Sequence, residues 1–294
     1  EFRRVLFRSV DMAVQTLIGC DFSSSPSKRK PIVVAQGSLH AGSVQLKQLL
    51  QFETLHAFHQ FLLEPAPPDV PCVGGFDLPF GLPRAWVEAM SWPTTWPECM
   101  DKFAAHSREE LRLLFKAFCD ARPAGSKFAH RVTDGPAGAS PSMKWVNPPV
   151  AWMMHAGVPL LRDAQWTLPG LQTGRANRIA LEAYPGLLAR EVIGNRSYKS
   201  DDKQKQTPDR WVARKDILHA LDMAQTRLGL RLKLKPAQHD TLLADGSGDT
   251  LDAVLCMVQA AWACVQQHNA ESAGQTGRYG LPAFDSLEGW IVTA

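Results

Sequence analysis

No stretch of the 294-residue chain approaches the roughly 18 to 20 uninterrupted apolar residues that a membrane-spanning helix requires, so no membrane partner is expected. The six cysteines (Cys20, Cys72, Cys99, Cys119, Cys256 and Cys264) contain no C-x-x-C pair. That spacing excludes a zinc ribbon and a disulfide-dense secreted scaffold, and it predicts reduced thiols in a cytoplasmic protein. A Walker A loop, an HExxH helix, a nucleophile elbow and a zinc-deaminase signature are all absent. A strong global charge is lacking too. The formal net charge is +3, but residues 1–9 carry Arg3, Arg4 and Arg8 against Glu1, a net +2, so the remainder of the chain holds only +1. This opening, EFRRVLFRS, reads as the translation of a sequencing adapter joined to a reading frame, and it is set aside from fold reasoning.

What is present is an ordinary globular composition, 45% hydrophobic and 21% charged, which excludes disordered and fibrous classes. Short apolar runs at Leu17–Asp21, Pro31–Ala35 and Ser43–Leu46, separated by polar or Gly-containing turns, predict three consecutive strands. Helical spacing follows over 51–63, then an apolar run over Cys72–Asp77 predicts a fourth strand. From about 82 to 178 the pattern becomes helix and loop, rich in Trp and Pro, with a Gly/Pro/Ser patch at 134–142 that reads as a mobile loop. A fifth strand over Ile179–Tyr184 is stopped by Pro185, and long helices are predicted over 210–228 and 249–268. The expected architecture is a single α/β domain over 12–294. Its mixed sheet of three antiparallel strands plus parallel βα units is flanked by helices and carries a mostly helical insertion at about 82–178.

Acidic residues stand where apolar strands end or an apolar helix begins: Asp21, Asp77, Glu182, and the pair Asp249 and Asp252. Ligands of α/β sheets gather outside strand ends, and i, i+3 carboxylates share one face of a helical turn. Clustered carboxylates repel unless a cation joins them, and an all-oxygen set favours Mg²⁺ or Mn²⁺ over zinc. Each acid also has a plain structural reading. Asp21 and Asp77 read as turn residues, Asp249 as an N-cap, and Asp252 as a favourable charge in the first turn of a helix. Glu182 fits that reading least, because a carboxylate inside the apolar strand IALEAY costs several kcal/mol if it points inward unpaired.

The segments IGCDFSSSP, GGFDLPFGLP, IALEAYPGLL with the later SYKSD, and GDTLDAVLCMVQAAW resemble, in this order, motifs of the family called domain of unknown function 429. The resemblance runs from about residue 15 to the closing EGWI. It implies a ribonuclease H-like fold and a nuclease whose acids are Asp21 on the first strand, Asp77 on the fourth, and Asp249 or Asp252 on the last helix. Glu182 falls in a motif of the narrower family. The function this implies is hydrolysis of phosphodiester bonds in DNA or RNA by a two-metal mechanism. Asp21, Asp77 and Asp252 hold Mg²⁺ or Mn²⁺, and Asp249 or Glu182 completes the catalytic set.

Cationic residues concentrate between 190 and 239, twelve Lys and Arg against six acids, and Lys199 and Arg214 are the expected substrate-binding residues there. A solvated helix face is the plainer reading of the same charges. His56 and His59 form half of a metal site without a third ligand, and the five Trp residues between 86 and 152 fit a small core in the insertion better than a stacking platform. Two rival functions share these features: an actin-like or sugar-kinase-like ATPase or phosphotransferase, and a catalytically inactive nucleic-acid-binding or interaction module.

Overall fold

The computed structural model describes residues 15–64 and 70–294. The opening segment 1–9 lies outside the described residues. The chain begins with β1 (Gln15–Asp21), β2 (Ile32–His40) and β3 (Ser43–Phe52), followed by α1 (Leu55–Leu63) and β4 (Cys72–Asp77). Helices α2 (Arg84–Ala89), α3 (Trp96–Ala105), α4 (Arg108–Asp120), α5 (Asp134–Ala137) and α6 (Val150–Asp163) come next. Then come β5 (Trp166–Thr167), β6 (Arg175–Glu182), α7 (Pro185–Ile193), α8 (Pro208–Asp222), β7 (Arg231–Lys233), α9 (Pro236–Ala244) and α10 (Asp249–Ser272). One seven-stranded sheet runs in the order β5-β6-β4-β1-β2-β3-β7. The β1–β2 and β2–β3 pairs are antiparallel and all others are parallel, so the expected mixed sheet is present. No described helix is long and apolar enough to cross a membrane.

Two apolar layers sandwich this sheet. On one face α7, α8, α9 and α10 pack over Leu17, Val33, Val73, Ile179 and Leu181. On the other, α1 and the insertion helices pack over Ile18, Cys20, Val34, Phe76 and Ala180. Neighbouring strand residues thus alternate between layers, as a pleat demands. Of the five insertion tryptophans, Trp86, Trp92 and Trp96 are buried and Trp145 and Trp152 pack against that layer, the core role the sequence favoured. All six cysteines are buried and unpaired.

Several boundaries shift for local reasons. The first helix starts at Leu55 because Thr54 caps it and residues 51 and 52 extend β3. β6 stops at Glu182 because Tyr184 is the N-cap and Pro185 the first residue of α7. The patch 134–142 contains α5, closed by Gly138 in the left-handed region at φ 57°, which corrects the expectation of a loop there. β5, α7, β7 and α9 were not foreseen, and β5 and β7 are too short to show a period.

The long helix α10 lies flush on the sheet centre, and two glycines make this possible. A Cβ at Gly19 would collide with the Ala253 carbonyl oxygen, and one at Gly75 with that of Cys256. Gly19→Ala therefore forces helix and sheet apart, and overpacking of this kind costs about 1–3 kcal/mol. Chemical denaturation should show a loss of at least that size in the variant; a wild-type midpoint would refute the close packing.

Candidate functional site

The pleat that sets Leu17 and Gly19 toward α10 also sets Asp21 there, and Val73 and Gly75 do the same for Asp77. Asp21 and Asp77 are register partners across the parallel β1–β4 pair, so two carboxylates end adjacent strands on one face. The first turn of α10 adds Asp249 and Asp252 to that edge. Both Asp21 and Asp77 are half-buried, whereas Asp252 is fully buried.

Helix capping does not account for this pair. The N-cap of α10 is Gly248, at φ 81°, and it offers no side chain. Asp245 closes the turn instead, accepting from the backbone N–H groups of Ser247 at 3.0 Å and Thr250 at 2.9 Å and from the hydroxyls of both residues. Asp249 and Asp252 are thereby released from capping and directed to the strand ends.

Each has a lysine partner. Asp252 accepts hydrogen bonds from the Tyr198 hydroxyl and the Lys199 ammonium. Asp249 accepts from Lys30 Nζ at 2.9 Å, and the same ammonium reaches Asp201 at 2.6 Å. Asp21 and Asp77 keep carboxylates without such a donor, and their acidities record it. Burial, then repulsion from Asp252 and Asp249, holds the Asp21 carboxyl well above the ordinary carboxylate range, against an opposing pull from Lys199. Burial also pushes Asp77 up to about 7, with Lys199 opposing and Asp252 and Glu182 adding to the rise. Asp252 is raised by burial despite Lys199 and Tyr198. The Lys199 ammonium loses hydration by burial, but Asp252 and Asp21 outweigh this and raise its pKa.

Glu182 has a different place. Ile179 and Leu181 of β6, and Ala183 just beyond it, face α10, so Glu182 faces the insertion with Ala180. There it accepts both terminal nitrogens of Arg131, at 2.6 and 2.8 Å, and the Phe80 N–H at 2.9 Å. Arg131 also binds Asp134 and the Glu288 carbonyl. This buried network fastens the insertion and the C-terminal segment to the sheet, and it leaves Glu182 out of the group that faces α10.

Arg214 is also committed elsewhere. It is buried on α8 and donates to the Leu243 carbonyl at 3.0 Å and the Tyr198 carbonyl at 2.6 Å, so it positions the Tyr198–Lys199 segment. Lys199 is on the acids themselves. Among the other cations between 190 and 239, Arg196 pairs with Asp216, Arg227 with Glu191, and Arg231 with Asp222. His59 stands 2.8 Å from Asp163, away from the acidic edge. Tyr198, Lys30 and Asp245 were missed by the sequence reading. Only Tyr198 carried a signal, as the neighbour of Lys199 in SYKSD.

Among the described residues, no three His, Cys, Asp or Glu side chains stand together in an arrangement that could hold a metal ion as they are. The donor chemistry nevertheless suits a hard cation, since each of the four aspartates offers only carboxylate oxygen. The ammonium of Lys199 stands where such a charge would be needed.

Because the folded Asp77 binds a proton that the unfolded chain releases near pH 4, its contribution to stability is greatest below that pH and is lost as pH rises through about 7. Asp77→Asn should thus gain roughly 1–3 kcal/mol over wild type near pH 8 in chelator, and little near pH 4. Thermal unfolding at both pH values checks this; an equal effect at the two would refute it. Comparison with known proteins gives no further guide: no family model, curated protein or solved structure matches the chain.

Proposed function

We propose that the protein is a divalent-cation-dependent hydrolase of phosphodiester bonds in nucleic acid, acting at the acidic edge formed by Asp21, Asp77, Asp249 and Asp252. The observation that carries this reading is the register pairing of Asp21 with Asp77, faced by two helix aspartates that are free of any capping duty. An antiparallel β1–β3 unit beside parallel β4 and β6 supports a ribonuclease H-like assignment of the fold. Asp21, Asp77 and Asp252 are the residues that would hold Mg²⁺ or Mn²⁺, with Asp249 beside them. Such an ion supplies the positive charge that acidifies an attacking water and stabilises a leaving oxygen.

The chain's own groups do the rest. Tyr198 fixes one oxygen of Asp252, and Arg214 fixes Tyr198 through its carbonyl. Lys199 neutralises Asp252, and its side chain, 41% exposed, would be available to a phosphate only if another positive charge took its place on that carboxylate. Lys30 restrains Asp249 in the same way.

The competing reading is a catalytically inactive nucleic-acid-binding or interaction module. The two lysine pairs favour it, because they already supply counter-charge. Lys199→Met separates the two. On the enzyme reading, removing the competing ammonium raises Mn²⁺ affinity about tenfold or more in calorimetry and lowers cleavage of a mixed DNA and RNA panel. On the inactive reading, Asp252 keeps only the Tyr198 hydroxyl inside the core, stability falls by about 3–5 kcal/mol, and Mn²⁺ does not restore it.

Asp21→Asn provides the companion measurement. Saturating Mn²⁺ at about 100 times its Kd should stabilise wild type by about 2.7 kcal/mol and leave the variant unchanged. Phosphate release from ATP without cleavage of polynucleotides would instead favour an actin-like or sugar-kinase-like ATPase.

A further inference from the structure

Beside Asp77 a cavity of about 260 Å³ opens between α7 and the segment carrying Tyr198 and Lys199. Its wall divides by chemistry. Ala189 and Ile193 give it a buried apolar floor, and Tyr184 adds an aromatic ring. Arg190, Arg196 and Lys199 line it as cations, against Asp77 as the one lining acid. Arg190 is braced at the rim, with its guanidinium over the Tyr184 ring at 5.2 Å and hydrogen bonds to the Tyr184 hydroxyl and the Ala137 carbonyl. Arg196 is half exposed, and its partner Asp216 lies outside the lining, so a phosphate can compete for it at small cost. The first turn of α7 also borders the space and has no side-chain cap.

Size decides what such a space can take. Pockets that bury a drug-sized ligand span roughly 300–1,000 Å³, so 260 Å³ admits one nucleotide unit and excludes a duplex. On the opposite side of Asp77 the insertion comes down close: Ser140, Pro148 and Met153 help enclose only about 70 Å³ there, room for water. The α7 side is therefore the roomier approach to Asp77.

We propose that this cavity is the subsite for a single unpaired nucleotide next to the bond that is cut. Its sugar or base rests on Tyr184, Ala189 and Ile193, and its phosphate lies between Arg196, Arg190 and Lys199. The assignment rests on the hydrolase reading for its adjacency to chemistry, and it restricts the substrate to a strand end or an extruded nucleotide.

The test uses the whole protein in chelator, so that binding is measured without turnover, with fluorescence anisotropy of a single-stranded thymidine dodecamer, a blunt duplex of the same length, a duplex with one unpaired internal nucleotide, and thymidine monophosphate as competitor. The single strand should bind about tenfold or more tightly than the blunt duplex, and the monophosphate should displace it. Tight binding of the internally unpaired duplex assigns an extruded nucleotide; binding no better than the blunt duplex assigns a strand end. Arg196→Ala should weaken the single strand about fivefold or more and flatten its salt dependence by about one phosphate contact. Ser197→Trp, on an exposed lining residue, should block the cavity while leaving the fold intact. Equal binding of strand and blunt duplex, or wild-type affinity in both variants, overturns the subsite. Metal-dependent cleavage with unchanged KM in both variants would discard the subsite and keep the hydrolase. Variant-sensitive nucleotide binding without any cleavage would keep the subsite and discard the hydrolase.

Discussion

The site depends on how closely α10 approaches the centre of the sheet. Backbone meets backbone at Gly19 and Gly75, so the first helical turn stands level with the ends of β1 and β4. Any larger residue at either strand position would lift the helix and carry Asp249 and Asp252 away from Asp21 and Asp77. The same contact buries nearly every residue from Asp249 to Cys264, which makes this helix the spine of one apolar layer. Packing and chemistry are thus one arrangement, since the glycines that close the core also set the spacing of the charges.

Electrostatically the molecule handles its buried charge in two ways. Arg131 is enclosed with Glu182 and Asp134, each within hydrogen-bond reach, so that charge is satisfied by geometry and binds the insertion to the sheet. Such a pair adds little net stability over an apolar filling, but breaking it is costly. At the acidic edge the neutralisation is partial. Lys30 and Lys199 bond directly to Asp249 and Asp252, while Asp21 and Asp77, with only the more distant pull of Lys199, are kept from ionising at their ordinary pH by burial and by their neighbours. The first arrangement is a fastening; the second leaves a demand for positive charge.

Much of this was legible in the chain. Alternation marked the central strands, and acids closing apolar runs marked Asp21 and Asp77, because a strand end next to a loop is where a pleated core meets water. The i, i+3 spacing of Asp249 and Asp252 gave their shared turn. Glu182 could have been separated by parity, since Ile179, Leu181 and Ala183 are the apolar odd positions of its strand and Glu182 has the other sense. Its partner could not, because Arg131 is fifty-one residues away in a segment without period. Arg214 was expected to meet substrate, and only the tertiary fold shows its guanidinium closing backbone carbonyls. Asp245 was overlooked for a similar reason: the capping role was assigned to Asp249, four residues too late.

The six buried cysteines add a consequence of their own. Cys256 lies in the helix–sheet seam and Cys20 on the insertion face of β1, and burial together with the nearby aspartates pushes both thiols well above their ordinary pKa, which suppresses the thiolate that reacts with electrophiles. The intact protein is therefore chemically silent at these sulfurs, and alkylation of Cys256 proceeds only in molecules whose seam has opened. The protein carries its own label for the separation of α10 from the sheet, placed where that separation would also dissolve the acidic edge.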